Sequence, residues 1–92
     1  MLFRSCGSDV IAHGVITEAQ ATGVSVPGDI AVMGFGDLPF AAFTHPPLST
    51  VRIDGDAIGR QAARFILNRV DGHDVGKLVR DIGFSIIQRA ST

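Results

Sequence analysis

Three residues near the start of the chain have side chains that could form a nucleophile and its base. Cys6, Asp9 and His13 lie close together in the sequence, and a thiol beside an oriented imidazole is an arrangement used in nucleophilic catalysis. A cysteine at the end of a buried strand is more often a small apolar residue. Asp9 and His13 have the spacing of neighbours on a helix, a pairing that needs no catalysis. We therefore predict that the chain is not an enzyme.

The other candidate chemistry is metal or cofactor binding. His45 and His73 fall in predicted loops, and no three residues have the spacing of zinc ligands. Cys6 is the only cysteine, so the sequence offers no internal disulfide and no cysteine-rich site. The segment Gly34-Phe35-Gly36 lacks the third glycine that opens a helix in dinucleotide-binding loops. We predict no metal and no cofactor.

A strand, a helix and a second strand position these residues. Leu2 to Cys6 is short and partly apolar, and Val10 to Thr22 has apolar residues at helical spacing. Ile30 to Phe35 is an apolar run, typical of a strand buried in a parallel sheet. Ser8 or Asp9 supplies an oxygen that can cap the helix. The predicted fold class is α/β, with a βαβ parallel sheet and a right-handed crossover.

The second half of the chain contains one clear helix and several shorter elements. A proline pair, Pro46-Pro47, and several glycines separate these elements. The predicted elements are a helical turn at 40–43, an extended segment at 48–51, a helix from Asp54 or Asp56 to about Val70, and one or two strands at 78–79 and 84–87.

Composition excludes several partners. The 92 residues include 8 basic and 9 acidic ones, with a net charge of −1. Nucleic-acid-binding surfaces cluster basic residues, whereas the arginines of this chain are mixed with aspartates, so we predict no direct nucleic-acid binding. No apolar run approaches the roughly 20 residues that span a bilayer, and the first residues do not resemble a secretory leader. We predict a cytoplasmic protein with no membrane contact.

Five motifs occur in order along nearly the whole chain. They are Cys-Gly-Ser-Asp at 6–9, Gly-Val-Ser-Val-Pro-Gly-Asp-Ile-Ala-Val-Met-Gly-Phe at 23–35, Pro-Pro-Leu-Ser-Thr-Val at 46–51, Ile-Gly-Arg-Gln-Ala-Ala at 58–63 and Arg-Ala-Ser-Thr at 89–92. Together they resemble the C-terminal portion of the LacI/GalR family of bacterial transcription regulators. The resemblance implies a partial type I periplasmic-binding-protein-like lobe, from a sensor that holds a small effector between two lobes.

The resemblance also implies a domain assignment. Residues 1–51 are expected in the C-terminal lobe, residues 52–76 carry a helix that packs on the N-terminal lobe in the family, and residues 77–92 return. The family's helix-turn-helix head and most of the N-terminal lobe lie upstream of this segment. We therefore expect the apolar stripe of the helix to fold back, to pack on another copy, or to exchange with one. The stripe consists of Ile58, Ala62, Phe65 and Ile66.

Four residues match positions that contact the effector in the family. The chain has Ser8-Asp9 where the family commonly has Asn-Asp, and Gly36-Asp37 where it commonly has Asp-Asp. A carboxylate suits the hydroxyl groups of a neutral sugar and repels an anion. Because Gly36 removes that carboxylate, we predict a sugar-acid effector resembling gluconate. The alternatives stay open: a neutral ligand bound chiefly by the other lobe, a capping role for Asp9, and contact with a dimer partner or stabilisation of the turn for Asp37.

The resemblance further implies a homodimer. In the family, a loop and the first helix of each C-terminal lobe pair across a two-fold axis, an arrangement that needs a self-complementary patch. The corresponding apolar residues here are Val15, Leu38, Phe40 and Phe43. In the alternative, both phenylalanines close the core beneath the loop. Exchange of the Asp56–Val70 helix is a second route to a dimer.

The predicted function is effector sensing and dimerisation within a LacI-type regulator that responds to a sugar or sugar acid. One alternative is a fragment of a sugar-binding transport protein of the same fold, although no secretory leader is seen. A small α/β enzyme is a third class. That class needs an acidic cluster or a glycine-rich phosphate loop, and neither is present.

Overall fold

The computed structural model of the chain describes residues 2–72 and 81–92. The elements are β1 (Leu2–Ser5), α1 (Asp9–Ala21), β2 (Ile30–Met33), a 3₁₀ helix (Pro39–Phe43), β3 (Thr50–Arg52), α2 (Gly55–Val70) and β4 (Ser85–Ile87). The described residues form two units: unit 1 contains residues 2–52 and 85–92, and unit 2 contains residues 53–72 and 81–84. Neither α-helix of the described residues is long and apolar enough to cross a membrane. The strand predicted at 78–79 lies outside the described residues.

Unit 1 contains the predicted strand–helix–strand arrangement. β1 and β2 pair in parallel, with Leu2 opposite Ile30 and Ser5 opposite Met33. Parallel neighbours need a crossover connection, and α1 provides it. After α1, Gly23 adopts a φ of +80°, a left-handed conformation that suits glycine at the end of a helix. The predicted α/β class with a parallel strand pair is confirmed.

The hydrophobic core of unit 1 lies between α1, β2 and the segment before β3. The sequence offers two apolar rows on α1, and the row of Ala12 and Ile16 is buried while Ile11 is exposed. Burial of one face explains why this helix forms stably. The buried apolar cluster consists of Ala12, Ile16, Val32, Ala41 and Leu48.

The end of the chain completes unit 1. β4 pairs with β3 in antiparallel orientation, with Thr50 opposite Ile87. Ser91 is fully buried; its hydroxyl donates to the Val32 carbonyl (2.6 Å) and accepts from the Ser49 amide (2.8 Å). The Val32 amide in turn donates to the Ser91 carbonyl (2.9 Å). Ser91 therefore ties β2 to the residue that precedes β3.

Unit 2 contains α2. Its cap is Asp54, whose carboxylate accepts a hydrogen bond from the Ala57 amide (2.9 Å), so Asp54 rather than Asp56 fills that predicted role. None of the residues of α2 is buried. Ile58 and Ile66 are exposed and Phe65 is half-buried, so the predicted apolar stripe is open in this chain.

Candidate functional site

The candidate site lies where β1 and β2 end. The Cys6 amide donates to the Met33 carbonyl (2.8 Å), and the Asp9 amide donates to the Phe35 carbonyl (3.1 Å). These bonds bring the start of α1, with Ser8 and Asp9, beside the loop that follows β2. The carboxyl ends of parallel strands are the edge at which α/β proteins bind ligands. All four residues predicted to contact effector come from these two segments.

Ser8 is the cap of α1. Its hydroxyl accepts a hydrogen bond from the Ile11 amide (3.2 Å), which satisfies one free donor of the first turn. The sequence left the cap open between Ser8 and Asp9, and the structure assigns it to Ser8. The side chain is half-buried, so the hydroxyl retains a face toward solvent.

Asp9 is fully buried and connects three segments. One carboxylate oxygen accepts from the Leu38 amide and the other from the Thr50 hydroxyl, both at 2.6 Å. A side chain at Gly34 would collide with the Asp9 carboxylate, which explains the glycine at that position. Because both oxygens already have partners inside unit 1, Asp9 holds the site together. Its predicted contact with an effector stays a prediction.

Gly36 occupies a backbone conformation that other residues rarely adopt. Its φ is +118°, and its amide donates to the Val51 carbonyl (2.7 Å). The space that a side chain would take there is open. The backbone conformation is therefore one reason for a glycine at this position. The effector prediction depends on a separate property of Gly36, namely that it has no carboxylate.

Asp37 is held by two arginines. Its Oδ2 accepts from Arg52 Nε (2.8 Å) and its Oδ1 from Arg89 Nη2 (2.9 Å), and the side chain is only 11% exposed. Burial acts to raise the pKa of the Asp37 carboxyl. The hydrogen bonds and charges of Arg89 and Arg52 outweigh burial and hold that pKa below its ordinary value of 3.8. The turn-stabilising alternative for Asp37 therefore has direct geometric support.

Sequence reasoning missed three residues of this site: Thr50, Arg52 and Arg89. The resemblance placed two of them in family motifs but gave them no role. Arg89 also donates from Nη1 to the Leu48 carbonyl (2.8 Å), so it joins the end of the chain to the segment before β3. A partly buried Asp37 needs a cation beside it to stay ionised, and a search of the sequence for that cation could have pointed to the arginines.

Two of the four residues predicted to form a dimer interface border an open groove between α1 and the 3₁₀ helix. Phe40 and Phe43 line this groove, whose volume is about 750 Å³. Phe43 is 80% exposed, and Leu38 is also exposed. Val15 is half-buried and packs against the core cluster. The groove takes its α1 lining mainly from the residues Val10, His13, Gly14, Ile16, Thr17 and Gln20.

The three residues considered for catalysis, Cys6, Asp9 and His13, each have different partners in the structure. Cys6 is half-buried and packs against the core cluster. The His13 ring meets the Phe40 ring edge to face, with centroids 5.7 Å apart, while Asp9 bonds elsewhere. No group of three metal-binding side chains occurs within residues 2–72 and 81–92. This geometry gives no support to nucleophilic or metal chemistry.

Comparison with known proteins agrees with this architecture. A family model described as a periplasmic binding protein-like domain matches residues 5–92. The HTH-type transcriptional regulator GntR of Pseudomonas aeruginosa is 44% identical over 85 residues, which are 92% of this chain and 25% of that protein. The lactose operon repressor of Rhizobium radiobacter is 44% identical over 84 residues, 91% of this chain and 74% of that sequence.

Solved structures agree as well. A LacI-type transcription regulator from Bifidobacterium animalis subsp. lactis aligns with a TM-score of 0.82 at 31% identity, over 97% of this chain and 32% of that one. The transcriptional regulator CelR in complex with cellobiose aligns with a TM-score of 0.87 at 26% identity, over 98% of this chain and 28% of that one. The chain thus spans about a third or less of these two structures. It belongs to the periplasmic-binding-protein-like effector domains of LacI-type transcriptional regulators.

Proposed function

We propose that this chain is the effector-sensing and dimerising part of a bacterial LacI-type regulator, and that its effector is a sugar acid. The observation that carries the proposal is the meeting of two loops at the carboxyl ends of β1 and β2, joined by the bond from the Asp9 amide to the Phe35 carbonyl. The relatives reported above are regulators, which favours this function over sugar transport and over catalysis. Bacterial regulators of transcription act in the cytoplasm, so the proposal includes that location.

The preference for a sugar acid is supported by the charges around Gly36. No side chain projects there, and Asp9 is buried with both carboxylate oxygens bonded. Asp37 already accepts from two arginines. The loop therefore offers a negatively charged ligand little repulsion, while Ser8 and the first turn of α1 offer polar groups at the positive end of a helix. Cellobiose, a neutral sugar, is the ligand named for CelR, so a neutral sugar is the outcome to test against.

The test is a titration of the isotope-labelled chain, followed by amide NMR, with gluconate and with glucose in separate series. NMR detects the weak binding that we expect of a chain holding one side of the pocket. The expected result is that gluconate shifts the amides of Ser8, Gly36 and Asp37 at lower concentration than glucose does. A stronger response to glucose would contradict the sugar-acid proposal, and no response at these amides to either ligand would contradict the site.

We propose further that two copies associate through the groove between α1 and the 3₁₀ helix. Support comes from the exposure of Phe43 and Leu38 beside the lining residue Phe40. An apolar patch next to a groove can be complementary to itself across a two-fold axis. Exchange of α2, with its exposed Ile58 and Ile66, is the competing route. We propose no direct DNA contact for this chain, because its basic residues are mixed with acidic ones rather than clustered.

A further inference from the structure

Arg52 uses only one edge of its side chain. Nε donates to Asp37 Oδ2, and Nη2 lies 2.8 Å from the same oxygen. A guanidinium presents five N–H donors in a rigid plane, so the edge formed by Nη1 and the second N–H of Nη2 remains. Within residues 2–72 and 81–92, that edge makes no hydrogen bond, and the side chain is 56% exposed.

Among residues 2–72 and 81–92, Arg52 forms an ion pair with Asp37 alone. Asp37 supplies one negative charge to two guanidinium groups, and Arg89 takes the other oxygen. Asp9 is the neighbouring carboxylate, but its oxygens accept from Leu38 and Thr50. It forms no ion pair with either arginine among the described residues. The three-residue cluster therefore carries a formal surplus of one positive charge, and it reaches solvent through Arg52.

The backbone just before Arg52 is bonded to the loop of the candidate site. The Gly36 amide donates to the carbonyl of Val51, the residue before Arg52. The space beside Gly36 contains no protein atoms where a side chain would stand. Gly36 has no side chain, so this position adds no second carboxylate next to Asp37 to compete for the guanidinium.

We propose that Arg52 binds the carboxylate group of the effector through its Nη1–Nη2 edge. Asp37 is a positioning residue that fixes the plane of the guanidinium, and Arg89 holds Asp37 in place. Two parallel N–H···O bonds between arginine and carboxylate give both affinity and geometric selection. This inference rests on the proposed function, since it assigns a residue to the acid group of a sugar-acid effector.

The experiment is a comparison of gluconate and glucose titrations, followed by NMR, for the native chain and for Arg52→Lys, Arg52→Gln and Arg4→Gln. Arg4 is a matched control, because it is exposed on β1 and, within the part of the chain that the structure describes, its side chain bonds only the Phe3 carbonyl. Loss of a charge-assisted contact should weaken gluconate binding about tenfold in Arg52→Gln. Arg52→Lys should recover part of that loss, since it keeps the charge without the planar fork, and Arg4→Gln should change it less than about twofold.

Two further readouts separate a binding role from a structural one. Glucose affinity should be the same in the native chain and in Arg52→Gln, because glucose has no carboxylate. Gluconate should shift the Arg52 Nε–H resonance of the native chain. In the Asp37→Asn variant, which keeps Arg52 but loses its positioning carboxylate, the preference for gluconate over glucose should shrink. Equal gluconate affinity in the native chain and Arg52→Gln would overturn the assignment of Arg52 alone. Failure of the native chain to prefer gluconate would overturn the sugar-acid effector, and this inference with it.

Discussion

The two helices of this chain belong to regions that differ in what surrounds them. Each helix begins with an oxygen-bearing cap, Ser8 in α1 and Asp54 in α2. α1 buries Ala12 and Ile16, whereas α2 buries no residue. Unit 1 thus has an apolar core and buried polar contacts, and α2 relies on local interactions. Capping and apolar spacing are enough to specify a helix, but stability from packing needs partner segments that are far away in the sequence.

The largest expected effect tests whether unit 1 is packed and α2 is not, by replacing one leucine with alanine in each region. Leu48 is fully buried and Leu67 on α2 is 63% exposed. Leu48→Ala should lower the free energy of unfolding by about 2–5 kcal/mol, while Leu67→Ala should change it by about 0.5 kcal/mol or less. Urea denaturation followed by circular dichroism measures both. Similar losses for the two variants would mean that α2 is packed in solution and that the contrast is wrong.

A second experiment asks which exposed apolar surface drives self-association. Phe43 borders the groove of unit 1, and Ile66 lies on α2. If the groove forms the interface, Phe43→Gln should raise the dimer dissociation constant about tenfold or more, because it removes a large apolar side chain from the contact. Ile66→Gln should then raise it less than about twofold. Sedimentation equilibrium gives both constants.

The reverse order of effects would support exchange of α2 rather than pairing through the groove. A native chain that stays monomeric at the highest concentration studied would contradict both routes.

The smallest effect concerns the charge cluster of unit 1 and its dependence on pH. The pKa of Asp37 in the folded chain is held below its ordinary value of 3.8. The ionised carboxylate therefore stabilises the fold above about pH 3.8, and this stabilisation is lost as the pH falls through the pKa of the folded chain. Asp37→Asn should therefore cost about 1–2 kcal/mol at neutral pH. That cost should shrink below about pH 4.

Asparagine is the suitable replacement, since Asp37 has a φ of +52° and asparagine tolerates this conformation. Asp56→Asn, in the first turn of α2, controls for the removal of a carboxylate outside the cluster. A cost for Asp37→Asn that stays constant into strong acid would show that the ion pairs do not contribute.

The elements of this fold were predictable because their signals are local. The apolar run that begins at Ile30, the helical spacing of apolar residues in α1 and the capping oxygen before it each act on their immediate neighbours. The regions that became β3 and β4 were also predicted as extended. Their pairing was not, because the register of Thr50 with Ile87 depends on residues that no local pattern connects.

The candidate site was predictable only in part. Family motifs pointed to Ser8, Asp9, Gly36 and Asp37, and the structure brings their two segments together. The sequence could not separate the half-buried Ser8 from the fully buried Asp9, since both carry oxygen atoms at the start of a helix. The arginines were missed because Arg52 and Arg89 stand 15 and 52 positions from Asp37.

The bonds made by Ser91 have a consequence for how the protein is synthesised. Residues up to 52 leave the ribosome before Ser91 does, yet the Val32 and Ser49 amides have their partners in Ser91. The nascent chain therefore presents β1, α1 and β2 with backbone donors unsatisfied while the rest is still being made. Unit 1 closes only once Ser91 has left the ribosome, so until then its first strands are a substrate for chaperones and proteases.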